Sequence, residues 1–452
     1  VNADELDRRA RTYDGWIPPW LVSLLIEQGH IDEVRLQARN GDWFCARAWA
    51  QTLIEQGQRD AALDVLAPFV DAGWAGAARE VADILDGWGR AEEAIALVRP
   101  YAETGERLAL EHLARLLDRI GRKDEAFELL RPHTEDWFLA EALVDVTAGL
   151  GRDEEVAGLL EAHVEALRQA DEWWCAEPMN AVELLARVRE RQGRIDEAAA
   201  LLHTTRLGPI NGRDQLADLL VRHGGEDELR DYVAGKGGEN AAYHLAEFLE
   251  ERGDVEGAIE VLRPFAADGS RNPSMALAEL LTRHGRADEA IEVLLPVPSS
   301  VGGDCGCALR MLWTLMADHG RADEALAVID DLAAQAGGMS WELFRERTCL
   351  LTYCGRTEQA ITEVRAHPEA DTWYGAWLLS DLLTDAGRLD EAIAVLQSPP
   401  SASGGNENRL AELLIHRGRV KEAMTVLHHP KSVSPIGADP WVSVSESEKP
   451  PF

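Results

Sequence analysis

Residues 272–296 read NPSMALAELLTRHGRADEAIEVLLP, and this stretch decides the fold. Ala276, Leu277, Leu280 and Leu281 fall at helical spacing, and so do Ala290, Ile291, Val293 and Leu294. Gly285 stands between the two runs, where a residue in the left-handed conformation ends a helix. Asp288 and Glu289 follow in the first turn of the second run, where carboxylates meet the positive end of the helix dipole. Pro296 is expected to stop or kink that second helix, and Pro68, Pro100, Pro132 and Pro264 occupy the same place elsewhere. The stretch therefore predicts a helix A, a tight glycine turn and a shorter helix B.

The same pattern runs in both directions. Gly-Arg-x-acid-Glu-Ala recurs at Gly89, Gly121, Gly193, Gly285, Gly320 and Gly387, with looser copies at Gly29, Gly57, Gly151, Gly224, Gly253, Gly355 and Gly418. These thirteen copies are spaced 28 to 42 residues apart, with a norm of about 32. Five residues after the turn glycine stands alanine in ten copies: 62, 94, 126, 198, 258, 290, 325, 360, 392 and 423. Seven residues before it stands alanine in eight: 50, 82, 114, 186, 217, 246, 278 and 411. Small residues at two fixed places let helices A and B approach closely. Nine residues after the glycine the residue is Val, Leu or Ile in every copy but the first, which has Ala38. Such columns predict a stack of units, each burying its apolar face on its neighbours.

The chain resembles the tetratricopeptide repeat family in its small residue of helix A, its turn glycine, its Asp-Glu-Ala start of helix B and its large apolar residue late in helix B. The resemblance covers residues 16–430. It implies an all-α fold, a right-handed α-solenoid of about 13 helix-turn-helix repeats with a concave groove lined by helix A. The period is nearer 32 than the family's ~34, Leu replaces the usual aromatic residue at the end of helix A, and the Gly224 copy, GGEDEL, is degenerate. The organisation reads as a polar capping helix over 1–16, repeats over 17–160, an insertion over 161–178 that carries Trp173 and Trp174, repeats over 179–430, and an extended or disordered tail over 431–452.

Charge narrows the partners. The chain has 80 acidic and 45 basic residues, a net charge of −35. That balance argues against nucleic acid, which demands basic patches, and against anionic membranes. It suits a basic protein or peptide, and equally it serves solubility. No run of about 18 apolar residues suggests a membrane span, and the polar N-terminus suggests no leader, so a cytoplasmic, reduced protein is expected. The initial valine reads as a GTG start, hence a bacterial gene.

No HExxH, GxSxG or P-loop motif is present, so no enzyme activity and no cofactor are expected. Cys305, Cys307, Cys349 and Cys354 raise the question of zinc. They fall at opposite ends of helices about 18–20 Å long, so buried small thiols are the expectation and no metal is predicted.

Two columns map onto groove-facing positions of the resembled family. Ten residues before the turn glycine stand Glu141, Glu183, Asp214, Tyr243 and Trp377; six before it stand Asp145, Asp218, Glu247 and Glu279. From Glu141 to Glu279 these form an acidic stripe, read either as a groove for a Lys- or Arg-bearing segment or as a solvated face. Asn180, Asn211, Asn240 and Asn272 open successive A helices and are expected to cap them. Trp43, Trp137, Trp341 and Trp373 all stand fourteen residues before a turn glycine, as wedges between repeats. Trp16, Trp20, Phe44 and Trp49 cluster near the start and are expected to be buried under the cap. The leading expectation is a non-enzymatic scaffold that binds a protein or peptide partner. A regulatory or inhibitory subunit of a larger assembly is the alternative, and an RNA-binding helical repeat a third, which the acidic columns oppose. Oligomeric state and partner identity are not encoded in any motif.

Overall fold

The structure is a computed structural model that describes residues 2–169, 177–204, 214–223, 225–267, 270–297, 306–398 and 406–428. Every regular element among them is helical. Helices alternate A and B as the columns require: Trp43–Glu55 with Arg59–Asp71, Gly238–Glu251 with Val255–Ala266, Arg271–Arg283 with Ala287–Leu294, and Trp373–Asp385 with Leu389–Gln397 are successive antiparallel pairs. The fold is an α-solenoid of helix-turn-helix units.

The turn glycine does what its position demands. At all twelve described copies its φ lies between 71° and 84°, a region costly for any residue with a β-carbon. In the described copies other than Gly151, the residue after it donates its N–H back four places before the glycine, as Arg286 does to the Leu281 carbonyl at 2.9 Å, which closes the helix end. Both alanine columns are buried throughout, as are the aliphatic residues nine places after the glycine from Leu66 through Leu160 and from Leu262 through Leu396. Each such aliphatic side chain contributes about 1.5–3 kcal/mol by leaving water.

Three details depart from expectation. Pro68, Pro100 and Pro264 do not stop their helices; they lie inside Arg59–Asp71, Ala91–Glu103 and Val255–Ala266. Each removes one N–H near the last turn, where few carbonyls remain to be served, so the helix runs on for two or three residues. Pro132 and Pro296 do follow helix ends, at Leu130 and Leu294. Three of the asparagines are not at cap positions: Asn240 and Asn272 lie within the first turns of Gly238–Glu251 and Arg271–Arg283, and Asn180 lies inside Glu177–Arg191; Asn211 lies outside the described residues. Carboxylates and a threonine serve instead, as where Asp42 accepts from the Cys45 N–H, Asp136 from Phe138 and Leu139, and Thr372 from Gly375. Finally, Cys45 is buried, but Cys307 is exposed and Cys349 and Cys354 are half-buried, so burial does not account for all the thiols.

Two compact units emerge. One comprises the described residues of 1–74 and 341–428, the other those of 75–340. Within the first, helix Pro19–Glu27 packs against helix Glu407–His416 as well as against Ile31–Arg39 and Trp43–Glu55. The chain before it is tied down by buried Asp42, which accepts from Ile17 N–H at 2.6 Å, and by Trp16 Nε1, which donates to the Gly41 carbonyl at 3.0 Å. Trp16, Trp43, Phe44 and Trp74 are buried in one aromatic cluster, while Trp20 stays half-exposed at its edge beside Tyr13. Trp43 is thus a wedge. Trp137 is not; it is exposed, with the Arg107 guanidinium 5.5 Å from its ring.

The second unit carries the long spacing between Gly151 and Gly193. Helix Asp153–Gln169 has 17 residues and is followed by Glu177–Arg191; Trp173 and Trp174 lie outside the described residues. Buried Arg189 joins the two helices through Glu154 and Glu161, and Arg191 reaches Asp153 at 2.5 Å and the Val144 carbonyl at 2.7 Å. The degenerate copy has only a seven-residue helix, Glu226–Tyr232, continued by the π-turn Val233–Gly237. The tail, 431–452, also lies outside the described residues.

Candidate partner-binding face

The acidic stripe belongs to the second unit, on helices Trp137–Val146, Glu177–Arg191, Gln215–Arg222, Gly238–Glu251 and Arg271–Arg283. Its carboxylates are not equivalent. Glu141 and Asp145, one helical turn apart, share a single cation, Arg187, with Glu141 at 3.6 Å and Asp145 in direct hydrogen bond. Glu183 stands beside them. Burial, with the Glu141 charge adding to it, pushes its carboxyl up to about 7.

Further along, the stripe changes character. Asp214 is committed to the fold: its carboxylate accepts from the Ala217 N–H at 3.1 Å and from the Tyr232 hydroxyl at 3.0 Å. Asp218 faces His244 Nδ1 at 3.1 Å with both side chains largely covered. Tyr243 donates its hydroxyl to Glu239, which, together with burial, holds its proton on. Glu247 and Glu279 are the open pair. Both are exposed, on neighbouring A helices, and neither makes a salt bridge among the described residues, although both lie in the field of Arg283. Trp377, exposed on helix Trp373–Asp385, belongs to the first unit.

The columns alone did not reveal which acids the fold would consume. Arg187 stands in the same column as Asp145, and its sign was visible in sequence; that it bridges Glu141 and Asp145 required the packing of Trp137–Val146 on Glu177–Arg191. Asp214 carried a local signal, an acid three residues before a buried alanine, which is the pattern of a cap. Among the described residues no group of His, Cys, Asp or Glu is arranged to hold a metal, and no helix is long and apolar enough to cross a membrane.

No family model matches the chain, and no curated protein matches it. Among solved structures it is similar to Naa15/Naa10 bound to HypK-THB, at 14% identity over 89% of this chain and 68% of that one, with a TM-score of 0.49. It is also similar to the APC/C hetero-tetramer Cut9-Hcn1, at 13% identity over 87% and 94% with a TM-score of 0.25, and to yeast Tom70, at 12% over 78% and 96% with 0.28.

Proposed function

We propose that this chain is a non-enzymatic scaffold whose second unit binds a Lys- or Arg-bearing segment of a protein partner along its A helices. The observation that carries the reading is the open pair Glu247 and Glu279, exposed on adjacent helices and unbridged within the described residues, in a molecule whose other repeat-face carboxylates are largely paired. Two carboxylates that make no salt bridge among the described residues, with only the nearby Arg283 charge to offset them, are open to an incoming ammonium or guanidinium, and Glu183 adds a third acceptor whose charge depends on pH. Asp214 is a structural residue in this scheme, not a contact.

The test is retention of a partner from lysate by the full chain at low salt and at about 0.5 M salt, with Glu247→Lys/Glu279→Lys beside a charge-matched control, Glu27→Lys/Glu55→Lys. A partner released by salt and lost with the first variant alone supports the face. A partner held equally by wild type and that variant removes it.

A further inference from the structure

The first unit holds a cleft of about 850 Å³ walled by helices Ile31–Arg39, Trp43–Glu55 and Arg59–Asp71. Its origin is legible in one residue. Where the other copies carry Val, Leu or Ile nine places after the turn glycine, the first carries Ala38, and Ala38 lines the cleft. The helix that bears it has nine residues, against thirteen in the next helix B. The missing side-chain volume beside the longer neighbouring helix leaves the space.

The walls are apolar, with Trp49, Val65 and Phe69 among them, but one wall is basic. Arg35 and Arg39 stand four residues apart on one helix and so share a face. The Arg35 guanidinium lies 5.5 Å from the Trp49 ring. Neither arginine makes a salt bridge among the described residues, whereas the arginines after the turn glycines pair with carboxylates of their own or the preceding repeat. In a chain of net charge −35, two guanidiniums without a carboxylate partner thus stand together beside an apolar cleft. Asp64, whose carboxylate is exposed, also lines the cleft, from helix Arg59–Asp71.

We propose that this cleft is a second binding site, which takes a peptide segment presenting an aromatic or long aliphatic side chain beside one or two carboxylates. The apolar side chain fills the volume that Ala38 leaves open, and the carboxylates meet Arg35 and Arg39. Asp64 repels acids from its own wall and so sets the direction in which the segment lies. A volume of this size suits a ligand of a few residues. The site differs from the acidic face in unit, in shape and in the sign of charge it selects, so the two can fail independently.

The experiment is selection of random dodecapeptides displayed on phage against the full chain, followed by binding of the selected peptides to wild type, Ala38→Leu and Arg35→Glu/Arg39→Glu. Ala38→Leu restores the residue type of the other repeats, so it preserves the fold while closing the space. The expected result is a set of peptides enriched in an acid next to Trp, Phe or Leu, bound about ten-fold or more weakly by each variant and unaffected by Glu247→Lys/Glu279→Lys. Selection of no such peptides, or of peptides that bind Ala38→Leu within about two-fold of wild type, overturns the proposal. So does a wild-type dimer that Ala38→Leu dissolves, which would give the cleft to a second copy of this chain.

Discussion

At Gly375, in the first turn of helix Trp373–Asp385, a β-carbon would be driven into the backbone carbonyls of Glu369 and Ala370. Neither oxygen belongs to a side chain that could rotate away. Gly375→Ala is therefore expected to lower stability by about 1–3 kcal/mol, read as a drop in Tm, whereas Gly306→Ala, with nothing near it among the described residues, should leave Tm unchanged or raise it. Glu183 makes a prediction in pH. Its carboxyl is raised to about 7 in the folded chain, so the fold binds that proton more tightly than the unfolded chain does. Its charged form then weakens the fold progressively as pH rises from about 4.5 to 7. Glu183→Gln should remove that dependence, with Tm of the variant gaining on wild type across the window and no gain below it. At this scale the sequence was informative wherever a column repeated, as with the buried alanines, and silent where a single contact decides. Gly375 belongs to no column, and only the path of residues 369–372 shows what it must avoid.

At the scale of the helix, the Arg of Gly-Arg-x-acid-Glu-Ala acts twice. Arg286 Nε donates to Glu289 three residues on at 2.6 Å, while its Nη1 reaches Glu256 of the preceding repeat at 2.8 Å; Arg388 does the same with Glu391 at 2.7 Å and Glu358 at 3.1 Å. The motif that marks the turn is also a ladder of charge between repeats. Hydrogen bonds from these arginines hold the carboxyls of Glu93, Glu289, Glu391 and Glu422 below their usual value of 4.5. Such groups stabilise the fold above that value and cease to as pH falls through their lowered folded pKa, so loss should set in below about pH 4.5. The triple variant Arg122→Ala/Arg286→Ala/Arg388→Ala should melt earlier than wild type at low salt, with the gap closing at about 1 M salt. The sequence showed the Glu as a helix-start residue and the Arg as part of a motif. That the two bond, and that the Arg also reaches back a full repeat, depends on the rise between stacked helices, which no single repeat contains. The same limit explains the prolines and asparagines, whose roles turn on where a helix begins and ends within two or three residues.

At the scale of the whole chain, periodicity encodes contacts between neighbours and nothing else. It gave the A–B alternation along the length. It could not give the packing of helix Pro19–Glu27 on helix Glu407–His416, because repeats far apart in sequence share no column that marks them as partners. Nor could it give the cleft, although Ala38 stood out as the exception in its column. Deleting residues 407–428 should strip hydrogen-exchange protection from the amides of Leu21, Val22 and Leu25, while helices Gly238–Glu251 and Arg271–Arg283 of the other unit keep theirs. Equal loss in both units would mean that the two melt as one.

That long-range packing also sets a clock. Helix Pro19–Glu27 leaves the ribosome about 380 residues before its partner Glu407–His416 exists, which at roughly 5–20 residues per second is on the order of 20–80 seconds. For that interval the first repeat of every nascent chain waits with one side unmatched, open to chaperones and to neighbouring chains on the same message.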